Sequence, residues 1–503
     1  MYGDLVKIMK NIMTAAALVS GFTFMPARAE VPPFEQEIHW DWSKIDTSDL
    51  NFPKNFLWGT GLCEYQVSGS VMCPHSNWAK FEQEKWWFGN PIARGEKSGV
   101  VCDHWNRYKS DIQLMKKLGV NSYRLSVEWS KIEPAEGYFD VEVIAHYRNV
   151  CQELIANGIT PMITLHHFSH PQWFSDMGEF TTPDTIPYFV RFAERMFTEL
   201  HDLVPFWLTI NEPGVWAFQG YIRGVYPPQR KNMRLAGEVT KNLILCHIAT
   251  YRALKKLPGG DTAHVGIVHD IVHFDTYHPD SRFEKLITFY ANHMMHDAVT
   301  QFLITKKLVF HVPGLAHTEY ELADKNEKIL DFVGLNYYSH ALINWQWPVD
   351  STYRPGDVRT DMPYAIYPEG FYRAIQSVAR IGVPIYITEN GCSDAKDDRR
   401  ERWLKGYIYA MSKAIKDGYD VRGYFYWSLM DVFEWDMGYK AGHYGLYSVD
   451  FNSPERTRTL CKSAHYYQEV IAKSLGDTVA TKLTKQPEFI VPQVDQRPPV
   501  ATI

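Results

Sequence analysis

Beyond its N-terminal segment the chain has no stretch approaching the ~18 apolar residues that a membrane span requires. It has no CxxC pair among its seven cysteines (Cys63, Cys73, Cys102, Cys151, Cys246, Cys392 and Cys461), which argues against a zinc site, and the odd number leaves at least one thiol free. Cys151 and Cys246 fall within amphipathic helical patterns, where a small buried thiol is the ordinary outcome. Cys63 and Cys73, ten residues apart in a loop-rich region, form the candidate disulfide. No Gly/Ser-rich or charge-rich linker divides the chain, so its 503 residues read as one catalytic domain. There is no cationic excess either: the formal charge is −6, which excludes nucleic acid as a natural partner.

The first 29 residues carry Lys7, Lys10 and Arg28 against Asp4, then an apolar stretch from Ile12 to Met25 and a small-x-small Ala27-Arg28-Ala29. That pattern is expected of a signal peptide cleaved near Ala29, and hence of an exported, periplasmic or secreted protein, with Met1 or Met9 as the start. Aromatic residues are plentiful at 15%, with 16 Trp and 30 Tyr. A large core uses most of them, and a ligand with C–H faces suits the rest.

After residue 50, strand-like apolar runs alternate with helical patterns, which predicts a parallel sheet. Eight runs are expected: Phe56–Gly61, Asn121–Trp129, Thr160–His167, Phe206–Glu212, His264–Asp270, Asp331–Tyr338, Pro384–Glu389 and Val421–Leu429. Between them, Tyr108, Ile112, Met115 and Leu118 precede Gly119 at helical spacing, as do Ile144, Tyr147, Cys151 and Leu154 before Asn157-Gly158. Phe189, Phe192, Met196 and Leu200 mark a third helical face. Eight such units point to an α/β fold, the (β/α)8 TIM barrel, whose chemistry sits where the strands end. The expected organisation is a signal peptide over 1–29, a lead-in over 30–50, the barrel over 51–471 and a polar tail over 472–503. Long inserts, Cys73–Gly99 and Gly214–Arg234, become loops over the active-site face.

Two glutamates stand at the polar ends of apolar runs, in Thr209-Ile210-Asn211-Glu212-Pro213 and Ile387-Thr388-Glu389-Asn390-Gly391. A carboxylate where a buried strand emerges is costly or useful, and a pair of them is what glycosidic-bond cleavage needs. Taken singly, His167 reads as a core histidine and Trp427 as packing. Their place at strand ends beside the glutamates, shared with Asn336 and Tyr338, favours a functional reading.

In these motifs the chain resembles glycoside hydrolase family 1, the retaining β-glycosidases, from residue 50 to about 471. Tyr65-Gln66, Cys102-Asp103-His104, Tyr123-Arg124, Thr164-Leu165-His166-His167, Thr209–Pro213, Gly334–Tyr338, Tyr367-Pro368-Glu369-Gly370, Ile387–Gly391, Trp427-Ser428-Leu429 and Phe433-Glu434-Trp435 occur in register with that family. The resemblance implies Glu389 as nucleophile and Glu212 as acid/base. It implies that Arg124 and Tyr338 hold Glu389 ionised, with Asn336 supporting the pair and Asn211 on the sugar 2-hydroxyl. It places the non-reducing sugar on Gln66, His167, Asn211, Glu434 and Trp435, with Trp427 as its platform. The implied substrate is a terminal β-linked sugar, a β-D-glucoside first and a β-galactoside or β-fucoside second, with no metal and no cofactor.

The chain departs from the family at Ser68, where a glutamate is usual, at Ser169, at Val432, and at His443-Tyr444. Ser68, Val432 and His443-Tyr444 together suggest a rebuilt rim. Glu434 stands where 6-phospho-glycosidases carry phosphate-binding residues, so an unphosphorylated sugar is expected. Transglycosylation and a non-catalytic sugar-binding protein remain as alternatives. The glycone, linkage and oligomeric state stay open at this level.

Overall fold

Each of the eight runs forms a strand: β1 (Leu57–Leu62), β2 (Ser122–Ser126), β3 (Thr160–His166), β4 (Phe206–Asn211), β5 (His264–Asp270), β6 (Phe332–Asn336), β7 (Ile385–Asn390) and β8 (Val421–Trp427). The structure, a computed structural model, describes residues 37–85, 90–344 and 353–476. The strands pair in parallel around the ring β1-β8-β7-β6-β5-β4-β3-β2, closed by Leu57 to Gly61 of β1 against Gly423 to Trp427 of β8. The fold is a (β/α)8 barrel. Strands covered by helices outside and filled by side chains inside are buried on both faces, which is why they read as apolar runs without alternation.

Met162, Leu208, Val268, Phe332, Tyr386 and Phe425, one from each of β3 to β8, fill the lower interior as a cluster of their own. Outside, the helix Ile186–Leu200 buries Phe189, Phe192, Met196 and Leu200, and Phe192 stacks on Trp129 at 4.9 Å. The helix His104–Leu118 ends on Gly119 with φ 82°, the left-handed cap that glycine adopts without penalty. The helix Val141–Ala156 starts at Asp140, whose carboxylate accepts from the N–H groups of Glu142 and Val143.

Three expectations change. Cys63 and Cys73 are not bonded, and all seven cysteines, which lie among the described residues, are free. The two flank the segment Glu64–Met72, which is kinked at Gly69, and both are buried. The barrel domain extends past residue 471, because the helix Ala464–Leu475 runs on to its Gly476 cap. Tyr467 Oη donates to Gly59 O at 2.7 Å and Trp58 Nε1 donates to Ser474 Oγ at 2.9 Å, so this helix is fastened to β1. The inserts are not loops throughout, since each carries short helical turns, at Asn77–Phe81 in the first and at Pro213–Ala217 and Phe218–Arg223 in the second.

The end of the lead-in docks rather than dangles: Trp40 N and Trp42 Nε1 both donate to Glu369 Oε1, at 3.0 and 2.9 Å. The expected signal peptide over 1–29 and residues 477–503 of the tail lie outside the described residues. No helix among the described residues is long and apolar enough to cross a membrane.

Candidate active site

Inward positions recur every second residue along a strand, so Thr164, Asp270, Asn336 and Thr388 stand above Met162, Val268, Phe332 and Tyr386 on the inner face. By that parity Glu389 would point out of the barrel. An extra residue in β7 against β6, between Ile387 and Glu389, breaks the alternation and brings Glu389 to the interior beside Thr388. β4 has the same irregularity between Leu208 and Asn211 against β5. Bulges of this kind re-aim side chains, and here they lie immediately before both glutamates.

Glu389 is buried and engaged through both oxygens. Oε1 accepts from Arg124 Nη1 at 2.5 Å and Oε2 from Tyr338 Oη at 2.7 Å. Arg124 is fixed in turn by Thr164 Oγ1 at 3.0 Å, Thr388 O at 3.1 Å and Asn211 Oδ1 at 2.7 Å. A buried guanidinium with all these acceptors is held in one orientation, and its charge neutralises the carboxylate it meets.

Glu212 is held differently. It has φ 47°, a left-handed conformation uncommon for a side-chain-bearing residue, and it begins the turn Pro213–Ala217. Its Oε1 accepts from Asn336 Nδ2 at 2.5 Å, and no cation reaches its carboxyl group among the described residues. Burial pushes its carboxyl well above the ordinary range, and the nearby Asp270 and Glu389 carboxylates push it further. A nucleophile matched to a cation and an acid kept protonated by burial and like charge is the division of labour that cleavage of an acetal needs.

The six residues expected to hold the sugar come together around this pair. Gln66 Nε2 donates to Glu434 Oε2 and to Phe433 O, each at 3.1 Å. His167 Nε2 lies 3.7 Å from Glu389 Oε1, and its ring is 5.7 Å from Trp427 and 6.1 Å from Trp435. Burial and the Arg124 charge push His167 well below the usual imidazole range, so it is neutral. Trp435 is set by Tyr65, parallel at 6.2 Å, and by Trp78 at 4.6 Å. Gln66 Oε1 and Asn211 Nδ2 are buried without a partner among the described residues. Orphaned polar atoms in such a cavity are what sugar hydroxyls satisfy.

Burial, Asp436 and Glu389 push Glu434 up to about 8. It is therefore largely neutral at pH 7, and the expectation that its charge alone repels a phosphosugar is revised. Asp436 beside it is also raised, to about 6.

The rebuilt rim resolves into one contact. Ser68 is fully buried and donates to Glu64 Oε1 at 2.6 Å, where Lys131 Nζ also sits at 2.7 Å. Glu64, one helical turn before Ser68, faces Lys131 behind the site. Val432 is core, and Ser169 Oγ donates to the buried Glu128 at 2.9 Å. His443 pairs with Asp431 at 3.2 Å. Only Tyr444 reaches the site, its ring 5.9 Å from Tyr338 and its hydroxyl 2.9 Å from that of Tyr364. The residue that sequence reasoning missed is Asp270, although it ends β5 just as Asn336 ends β6, and the rule that singled out the other strand ends would have found it.

The family model described as Glycosyl hydrolase family 1 matches residues 48–475. The chain is 32% identical over 456 residues to Beta-glucosidase A of Acetivibrio thermocellus, covering 84% of this chain and 99% of that protein. It is 31% identical over 477 residues to a 6-phospho-beta-galactosidase of Staphylococcus haemolyticus, covering 83% and 98%. Among solved structures, a beta-glycosidase from Pyrococcus horikoshii superposes with a TM-score of 0.74 at 32% identity, over 84% of this chain and 96% of that one.

Proposed function

The chain belongs to glycosyl hydrolase family 1 and is an O-glycosyl hydrolase, and from that premise we propose that it is an exo-acting retaining β-glycosidase, with β-D-glucosides as its preferred substrates. The observation that carries this is the unequal treatment of two buried glutamates: Glu389 between Arg124 and Tyr338, Glu212 beside Asn336 and two other carboxyl groups. Glu389 attacks the anomeric carbon while Glu212 gives its proton to the departing oxygen, leaving a glycosyl ester on Glu389. Esterification removes the negative charge of Glu389, which lowers the proton affinity of Glu212. Glu212 then takes a proton from water, which attacks the same carbon and restores both groups.

Asn211 Nδ2 and Gln66 Oε1, unpaired among the described residues, are matched to sugar hydroxyls, and Trp427 supplies the apolar platform. Whatever its protonation state, Glu434 offers a phosphate no positive charge, and with Asp436 next to it the reading is an unphosphorylated sugar. The basic, apolar and Ala-x-Ala pattern of residues 1–29 supports export, which N-terminal sequencing of protein recovered outside the cytoplasm checks.

The test of mechanism is a panel of aryl β-glycosides with wild type, Glu389→Gly and Glu212→Ala. Glu389→Gly is expected to lose activity on all of them. Glu212→Ala is expected to retain activity on activated leaving groups and to be rescued by azide. Normal turnover by either variant removes the mechanism, and higher activity on a 6-phosphoglycoside than on its neutral counterpart removes the assigned sugar.

A further inference from the structure

Asp270 ends β5, the strand that lies between β4, which leads into Glu212, and β6, which carries Asn336. In the register of β5 with β6 it is the direct partner of Asn336, with no slip anywhere along that pairing. Both therefore point inward, about one strand spacing of ~4.8 Å apart. Asn336 Nδ2 is the donor that holds Glu212, so Asp270 flanks the residue that touches the acid/base. The Glu212 backbone is tied to the same strand, its N–H donating to Val268 O at 3.1 Å.

Asp270 is 5% exposed, and its Oδ2 is buried with no hydrogen-bond partner among the described residues. A carboxylate that served only to cap a strand or pair with a cation would not be left with an orphaned oxygen in the barrel mouth.

We propose that Asp270 is a positioning residue for the acid/base proton: a third carboxyl group whose charge keeps that proton on Glu212 in the free enzyme. This rests on the reading of Glu212 as acid/base. Asp270 makes and breaks no bond in the reaction; it acts on Glu212 through space and across Asn336.

The charged and titratable groups that face the pair are Glu389 from β7, Arg124 from β2, Tyr338 after β6, Tyr226 and, beside Asp270, His296 with Asp297. Arg124 is committed to Glu389 and Asn211. Three carboxyl groups thus share one guanidinium, and on Glu212 the pull of Arg124 is outweighed by burial and by the Asp270 and Glu389 carboxyl groups, so Glu212 keeps a proton most readily. His296 works in the other direction, favouring the Asp270 anion, while burial and Glu389 bring Asp270 up to about 7. Near neutrality Asp270 is therefore divided between its two forms, and on the alkaline side it is the anion that retains the Glu212 proton. Removing its charge lowers the pKa of Glu212, so activity is lost at lower pH than in wild type.

The test compares kcat/KM against pH for wild type and Asp270→Asn, with a 2,4-dinitrophenyl β-glycoside, which needs little proton assistance, and an alkyl β-glycoside, which needs it fully. With the alkyl substrate, Asp270→Asn is expected to move the alkaline limb to lower pH by up to about one unit, an approximately tenfold loss on the descending limb. With the dinitrophenyl substrate the loss is expected to be under about threefold at every pH. An unmoved alkaline limb, or equal losses on both substrates at all pH, overturns the proposal. Asp270→Ser, which removes the charge without adding bulk, repeats the comparison should the asparagine variant melt early. If wild type hydrolyses neither substrate, the glycosidase reading itself has failed; active wild type with an unmoved limb fails this inference alone.

Discussion

Tyr338 and Arg124 divide Glu389 between them, one oxygen each, and the phenol does more than add a hydrogen bond. It fixes the oxygen it meets and so the orientation from which Glu389 attacks the anomeric carbon. Loss of a hydrogen bond to a charged group costs about 1.5–3 kcal/mol, so Tyr338→Phe should lower kcat/KM by about 10- to 100-fold. Steady-state assays with a single aryl glycoside check this, and an unchanged value would mean that the phenol plays no part. Glu389 and Tyr338 were legible because each sits at or just past a strand end in a motif, and Arg124, in the middle of β2, was legible through the Tyr123-Arg124 motif. Asp270 escaped because it has no motif around it, only a position.

Among the elements, existence and order of the strands were legible from apolar runs, and so were helices whose faces repeat every three to four residues. The irregularities in β4 and β7 were not, since a period of two has no mark for one extra residue. They decide which way Glu389 points. The glycine after it serves the same junction: a Cβ on Gly391 would collide with the Trp427 carbonyl oxygen. Gly391→Ala must push β7 and β8 apart at their tops. Overpacking costs about 1–3 kcal/mol, so both melting temperature and kcat/KM should fall; a variant as stable and active as wild type would show that the strand ends can separate freely.

A second junction lies behind the site, where Lys131 joins the helix Glu64–Met72 to the turn Trp129–Ile132 with its ammonium 3.6 Å above the Trp105 ring. Lys131→Met leaves Glu64 buried without its partner. The expected loss is about 3–5 kcal/mol in chemical denaturation. Restoration of stability by adding Glu64→Gln is the diagnostic result, because it removes the stranded charge.

For the molecule as a whole, the raised Glu434 links folding to pH. Its carboxyl titrates at about 8 in the fold against 4.5 ordinarily. Folding therefore favours the protonated form, and the contribution is complete below 4.5 and lost as pH rises towards 8. Glu434→Gln carries no such loss. Its melting temperature relative to wild type should rise between those two pH values, by an amount corresponding to on the order of 1–3 kcal/mol. Parallel melting curves at pH 4.5, 6 and 8 check it, and a constant difference would remove the assignment.

The ring has a seam where β1 meets β8, and the sugar site straddles it: Gln66 follows the first strand, while Trp427, Glu434 and Trp435 come with or after the last. Contacts this distant in sequence are the slowest to form, because the entropy of joining the chain's two ends must be met first. A polypeptide cut short of Val421 would possess both glutamates and still have two open sheet edges and half a sugar site. Sugar affinity thus gauges completed closure, and a tight-binding sugar analogue added during refolding should draw the last strand into the ring.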